Sequence, residues 1–270
     1  MSTPVSASVV VPTRESMRTL EACLRSIRAQ DVPVELIVVD NASTDGTYEL
    51  ARELADTAVR GGPERSAQRN AGVRLAAADW ILWIDADMVL PPATVSAALA
   101  TAEQTGADAV AVPELSVGPG FWTACRALER SCYVDDASLH NPRLLRRKLL
   151  LGDGAFDSAM AGPEDTDLRL RLRSAGTRTA LCPDLLIVHD EGRLTLRSIL
   201  AKRVYYGRSL PAFAAKNPGA LAGQGAGTLR ALVRHRRRLA RHPAHTAGLL
   251  VMRAAEAVAY AVGYRQGRRR

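Results

Sequence analysis

Residues 78–92 read ADWILWIDADMVLPP, a run of apolar side chains that stops at Asp85-Ala86-Asp87 and is followed by Pro91-Pro92. An apolar run without alternation suits a strand covered on both faces, as in a parallel sheet flanked by helices. In such sheets ligands sit beyond the carboxyl ends of the strands, where this run places its two aspartates. Side chains two apart in extended chain point the same way, so Asp85 and Asp87 can face one polar object. A hard divalent cation takes such oxygen ligands and shares them with substrate phosphates.

Working outward, short β-branched runs recur at Ser8 to Val11, Leu36 to Val39 and Ala109 to Val112. Between the first two, Met17, Leu20, Leu24 and Ile27 repeat at helical spacing, and helices are expected again at 46–55, 65–77 and 94–105. Strand and helix therefore alternate over residues 1–113, the pattern of an α/β fold with a mainly parallel sheet. Residues 115–151 lose the pattern and read as a variable insert, apart from a helix expected from Gly120 to Tyr133. Order returns at AGPEDTDLRLRLRSAG (161–176), where Pro163 suits a helix start and Gly176 a stop. Strands near Arg178–Leu181 and Leu185–Val188 then lead to His189. The Pro and Gly content of KNPGALAGQGAG (216–227) predicts a loop.

Charge divides the chain. From Gly192 onward there are 17 Lys and Arg against the single acid Glu256, while the preceding residues hold 19 basic and 27 acidic groups. A basic tail on an acidic body points to an anionic surface or ligand. Nucleic acid is not expected, because the tail lacks interleaved aromatics and a nucleic-acid fold signature. TAGLLVMRAAEAVAYAVGY (246–264) carries Arg253 and Glu256, so it reads as an amphipathic helix that completes the core or lies at a membrane surface. Met1 to Ala7 show no basic segment leading into an apolar one, and a cytoplasmic location is the expectation. Cys23, Cys125, Cys132 and Cys182 have no metal-site spacing and read as packed thiols.

Three segments together, SVVVPTRE with VVDNASTDGT, RSAQRNAG with IDADM, and GPEDTDLRLRLRSAG, resemble the family 2 glycosyltransferases over roughly residues 7–190. The resemblance implies a GT-A fold, with a donor half at 1–113, an acceptor half at 114–192 and a basic helical extension at 193–270. It also implies a nucleoside diphosphate sugar donor, UDP-sugar first, a Mn²⁺ or Mg²⁺ cofactor, and inversion at the anomeric carbon. By that likeness Pro12, Thr13, Glu15 and Asp40 hold the nucleoside, Arg69 lies by the base or phosphates, and Asp85, Ala86 and Asp87 form the DXD element. Asp87 and His189 are its metal ligands, and Asp165 is the catalytic base. On independent grounds Asp165 sits at a helix N-terminus, whose dipole favours the ionised form a base requires. Glu164 is the reserve base, and Gly154 and Phe156 are acceptor-pocket candidates. Asp167 reads as a solvated first-turn acid or an acceptor contact. The acceptor itself is open, a lipid-linked or small molecule. A retaining transferase, a nucleotidyltransferase or a non-catalytic binding module on the same sheet are the rival readings.

Overall fold

The computed structural model describes residues 5–152, 155–182 and 185–269, which alternate strand and helix before ending in helices. Strands β1 (Ala7–Thr13), β2 (Val34–Asp40), β3 (Thr57–Arg60) and β4 (Trp80–Trp83) enclose helices α1 (Leu20–Arg28), α2 (Thr47–Leu54) and α3 (Arg65–Leu75). Then follow β5 (Met88–Val89), α4 (Thr94–Thr105), β6 (Ala109–Ala111), β7 (Glu114–Val117), α5 (Phe121–Ser131) and β8 (Leu144–Arg146). Helix α6 (Glu164–Ser174), β9 (Thr179–Leu181) and β10 (Ile187–Asp190) complete the α/β part. The remainder is α7 (Leu196–Gly207), α8 (Leu210–Lys216), α9 (Ala220–Arg234), α10 (Arg236–Ala240) and α11 (Pro243–Gly267).

The main sheet has the order β3-β2-β1-β4-β8-β6-β9, in which β8 alone runs antiparallel to its neighbours. Alternate residues of β1 and β2 feed opposite faces. Val9, Val11, Leu36 and Val38 pack toward α1 and α4, whereas Val10, Ile37 and Val39 pack toward α3 and α6. This two-residue period inside an unbroken apolar run is what a doubly covered sheet requires. Gly72 of α3 lies against β1, where a Cβ would stand 2.3 Å from Val10 Cγ1.

A small sheet, β5-β10-β7, carries the site. In it His189 pairs in register with Met88, and the Asp190 amide donates to the Asp87 carbonyl at 2.8 Å. The last strand thereby closes against the Asp85 to Asp87 turn.

Three expectations need correction. The supposed insert supplies β8, wedged between β4 and β6 in the main sheet. Three residues are too few to give a periodic signal. The expected loop at 216–227 is mostly helix, since α9 begins at Ala220 behind Gly219 in the left-handed region (φ +78°). Gly223, Gly225 and Gly227 weaken a helix by about 1 kcal/mol each, a bias that tertiary packing overrides. Asp167, expected in solvent or on the acceptor, is fully buried and tied to Lys216, Asn217 and Arg171 at 2.9–3.0 Å, pinning α8 to α6.

Helix α11 docks on α7 through facing glycines: a Cβ on Gly263 would lie 2.3 Å from the Val204 carbonyl and 2.8 Å from Gly207 Cα. Such an approach leaves no room for a side chain. Gly263→Leu should therefore lower stability by about 1–3 kcal/mol in urea unfolding. Limited proteolysis should then release α11 before the α/β part.

Candidate active site

Asp85 leaves the end of β4 and meets α3 and α6 through one buried side chain, Arg69. Its guanidinium is fully buried, reaching Asp85 Oδ1 at 2.8 Å, Asp165 Oδ1 at 2.5 Å and Glu164 Oε1 at 3.7 Å. It lies 4.0 Å from the centroid of Trp83, a buried ring that Arg143 also covers at 4.5 Å. A guanidinium is the cation suited to this place, since it stays charged, forks between carboxylates and stacks on an aromatic face.

Arg69 lies between the two aspartates, and their other neighbours set them apart. Burial raises the pKa of Asp85, but Arg69, Arg65 and Arg143 outweigh it and hold the carboxyl below the ordinary range. For Asp165, burial outweighs the opposing pull of Arg69, and the negative Glu164 adds to it, so the pKa is pushed up to about 6. The pair thus combines a permanent anion with a carboxylate basic enough to accept a proton near neutrality.

Asp87 stands on the other side of the turn. Its Oδ2 lies 3.3 Å from His189 Nε2, and His189 Nδ1 lies 3.3 Å from Glu114 Oε2. Glu114 is in turn held by Arg143 and, at 3.0 Å, by Arg130. Burial lowers the imidazole pKa, yet hydrogen bonds and charges from Asp87 and Glu114 raise it to about 10. Asp87 Oδ1 is buried without a hydrogen-bond partner.

That orphaned oxygen beside an imidazole oriented by a carboxylate fits a divalent cation, because metal-bound histidines carry such a partner on the other nitrogen. Among the described residues no cluster of three or more His, Cys, Asp and Glu is poised for a metal. Two protein ligands suit a cation that completes its shell with phosphate and water.

A cleft of about 340 Å³ runs over this turn, lined by Pro12, Thr13, Glu15, Arg65, Asp85, Ala86, Asp87, His189 and Lys202. Thr13 Oγ1 is a second buried polar atom without a partner. An adjoining cavity of about 270 Å³ holds Asp165 and shares Arg65, Asp85, His189 and Lys202 with the cleft.

Most expected site residues therefore meet, but four stand elsewhere. Asp40 does not line the cleft: it is fully buried, and its oxygens accept from the Ser43 amide at 2.9 Å and hydroxyl at 2.5 Å. Ser43 Oγ accepts from the Glu15 amide at 2.8 Å, so Asp40 shapes the cleft through that loop. Glu15 has φ +47° and spends its carboxylate partly on the Thr44 amide at 2.9 Å. Arg69, expected by the base or phosphates, is sealed beneath the cleft. Phe156 is core: its ring meets Trp83 edge-on at 5.6 Å and its backbone is clasped by Asn70. Glu164 is buried and pairs with Arg65 at 2.9 Å, remote from a base's task. Gly154 lies outside the described residues.

Arg65, Lys202 and Glu114 were not singled out from the sequence. Arg65 had a signal, since it precedes Arg69 by one helical turn and opens the helix. Lys202 and Glu114 had none, because their place depends on how α7 and β7 pack.

The family profile described as Glycosyl transferase family 2 matches residues 8–154, more than half of the chain. The chain belongs to the family 2 glycosyltransferases. The succinoglycan biosynthesis protein ExoA of Rhizobium meliloti (strain 1021) is 29% identical over 199 residues, covering 65% of this chain and 60% of ExoA. The pre-mycofactocin glycosyltransferase of Mycobacterium tuberculosis is 27% identical over 234 residues, covering 78% of this chain and 48% of that protein. The chain thus spans about half to three fifths of these relatives' lengths. Among solved structures, the mannosyltransferase PcManGT from Pyrobaculum calidifontis, in complex with GDP-Man and Mn2+, superposes with TM-score 0.63 at 23% identity. It covers 97% of this chain and 83% of its own. S. aureus TarS 1-349 in complex with UDP-GlcNAc gives 0.55 at 19% identity, covering 98% and 92%. The GT-A fold expected from the motifs is the fold found.

Replacing Arg69 by Met keeps much of the volume but takes the close cation from Asp85 and Asp165, while Glu164 retains Arg65. Removing one partner of a buried pair costs about 3 kcal/mol or more. Urea unfolding of Arg69→Met at pH 7 should show a loss of that size, shrinking as the pH is lowered toward 5 and Asp165 takes up a proton.

Proposed function

We propose that this chain is an inverting, metal-dependent transferase that moves a sugar from a nucleoside diphosphate sugar, UDP-sugar first and GDP-sugar next, to an acceptor hydroxyl. The carrying observation is that Asp165, whose pKa burial pushes up to about 6, lines a cavity that adjoins the cleft over the Asp85 to Asp87 turn and shares Asp85 with it. Asp165 accepts the acceptor hydroxyl's proton while its oxygen bonds to the anomeric carbon. The bond from that carbon to the diphosphate breaks on the opposite face. Arg65 and Lys202 face the place where the departing charge collects, with Arg18 at the rim. Asp87 and His189 would hold Mn²⁺ or Mg²⁺, which supplies Lewis-acid stabilisation of the leaving diphosphate. Pro12, Thr13 and Glu15 are proposed to hold the nucleoside, since they line the cleft end nearest β1.

The helical tail is proposed to rest on an anionic membrane face, the cytoplasmic one. Helix α11 has the length and hydropathy of a membrane span. Its inner side, however, carries buried Glu256, which pairs with Arg203 at 2.7 Å and with Arg126, and this binds it to the fold. Leu250, Val251, Val258 and Val262 are exposed on its outer side, as are Leu229 and Val233 on α9. Apolar side chains amid arginines suit a surface-lying helix, with about 1 kcal/mol contributed per basic group near an anionic surface.

Asp165→Asn should reduce turnover by about 10²–10⁴-fold while nucleoside diphosphate affinity in the presence of Mn²⁺ stays unchanged. In the unaltered chain turnover should fall about tenfold per pH unit below pH 6, because the protonated carboxyl cannot take a second proton, and chelation should abolish release of nucleoside diphosphate. Full activity of Asp165→Asn would sink the assignment.

For the tail, flotation with vesicles containing anionic lipid should carry the chain upward at low salt. The double substitution Leu250→Glu, Val258→Glu should leave it at the bottom of the gradient; an unaltered chain that does not float refutes the contact.

A further inference from the structure

Beyond the Asp165 cavity lies a chamber of about 460 Å³, within the usual size of a small-molecule site. It shares Asn141, Gly162 and Tyr206 with the cavity that holds Asp165, so the two have a wall in common. Gly162 brings Tyr206 against that wall. Its φ is +104°, and a Cβ there would lie 2.5 Å from the Tyr206 ring, which rests directly on the backbone.

The chamber walls are aromatic and aliphatic, with Tyr133, Tyr206, Tyr260, Leu139, Leu210 and Leu221 facing it. Two cations interrupt them. Arg253 is neutralised by Glu129 and Glu256, each at 3.3 Å. Arg169 has no carboxylate within ion-pair distance among the described residues; it donates through Nη1 to the Ser138 carbonyl, and its Nε is buried without a partner. A half-buried cation without a counter-charge is costly to the free protein and favours a ligand that brings one.

Arg169 and Asp165 occupy positions i+4 and i on α6, so they lie on one face, about 6 Å apart along the axis. Asp165 faces the reaction cavity and Arg169 the chamber. We infer that the chamber binds the acceptor, and that this acceptor carries an apolar or aromatic body along the tyrosines and an anionic group, carboxylate or phosphate, at Arg169, with its hydroxyl directed to Asp165. The inference builds on the reading of Asp165 as the base, but its test does not require turnover.

Three fluorescent probes with a naphthalene body serve: 6-(hydroxymethyl)-2-naphthoate, its methyl ester, and the corresponding 2-naphthyl phosphate. In equilibrium titrations of the full chain at least one anion should bind tenfold or more tightly than the ester, and which anion wins identifies the group. In Arg169→Met that advantage should vanish while binding of the ester, binding of UDP or GDP with Mn²⁺, and the melting temperature persist. Leu221→Trp fills the chamber from its open side and should weaken all three probes, and Thr228→Trp does the same from another wall if the first variant folds poorly. Equal binding of anions and ester, an advantage that survives in Arg169→Met, or probe binding indifferent to both tryptophans would each overturn the inference. Failure of UDP and GDP to bind the unaltered chain would refute the donor reading instead, and the probe comparison would stand.

Discussion

The guanidinium of Arg69 has no contact with solvent, yet three acidic side chains converge on it from two different parts of the chain. Water reaches Asp85 and Asp165 only in part, so both depend on this cation for their tolerance of the interior, while Glu164 also has Arg65. Helix α3 delivers the arginine, β4 delivers Asp85, and α6 delivers Glu164 and Asp165. The separation between the Asp85 turn and Asp165 is therefore held by the reach of one planar group. Trp83 beneath it, itself the last residue of β4, fixes the plane of the fork.

A second chain of charge runs parallel to the first: Asp87 to His189 to Glu114 to Arg143, which returns to the other contact on Trp83. Thus Asp85 and Asp87 are steadied by two networks that meet at Trp83 and at Arg143. Asp85 is turned inward and balanced by arginine. Asp87 is turned toward His189, with one buried oxygen unclaimed. Residues two apart in sequence have acquired different work because the turn after β4 sends one to α3 and the other to β10.

Much of this was legible because the signals are local. The parallel strands announce themselves as apolar runs, and Asp85, Asp87, Asp165 and His189 each follow or open an element whose end defines the cleft. What sequence could not supply was direction. Asp40 ends β2 just as Asp85 follows β4, but it points into the Ser43 turn, since a three-residue hydrogen-bonded loop was available to absorb it. Phe156 sits in a segment expected at the acceptor, but Trp83 offers its ring a dry partner. Strand β8 is too short to show a period, and α9 is helical against its glycines. Lys202 belongs to the tail by sequence and to the cleft by packing, a relation created where α7 lies against the α/β part through Ile199, Tyr205 and Tyr206.

The four thiols carry a consequence of their own. Cys23 lies under the Asp85 carbonyl at 3.7 Å, and burial, reinforced by Asp87 and Asp85, pushes its pKa far above the range in which a thiolate forms. Cys125 sits where a side chain on Gly248 of α11 would collide with it, and Cys132 and Cys182 are equally enclosed. Reagents that need a path to the sulfur find none at these four residues in the closed molecule. The cysteines are thus built-in reporters of breathing: alkylation at Cys23 clocks the lifting of the turn after β4, and alkylation at Cys125 clocks the parting of α11 from the helix beneath it.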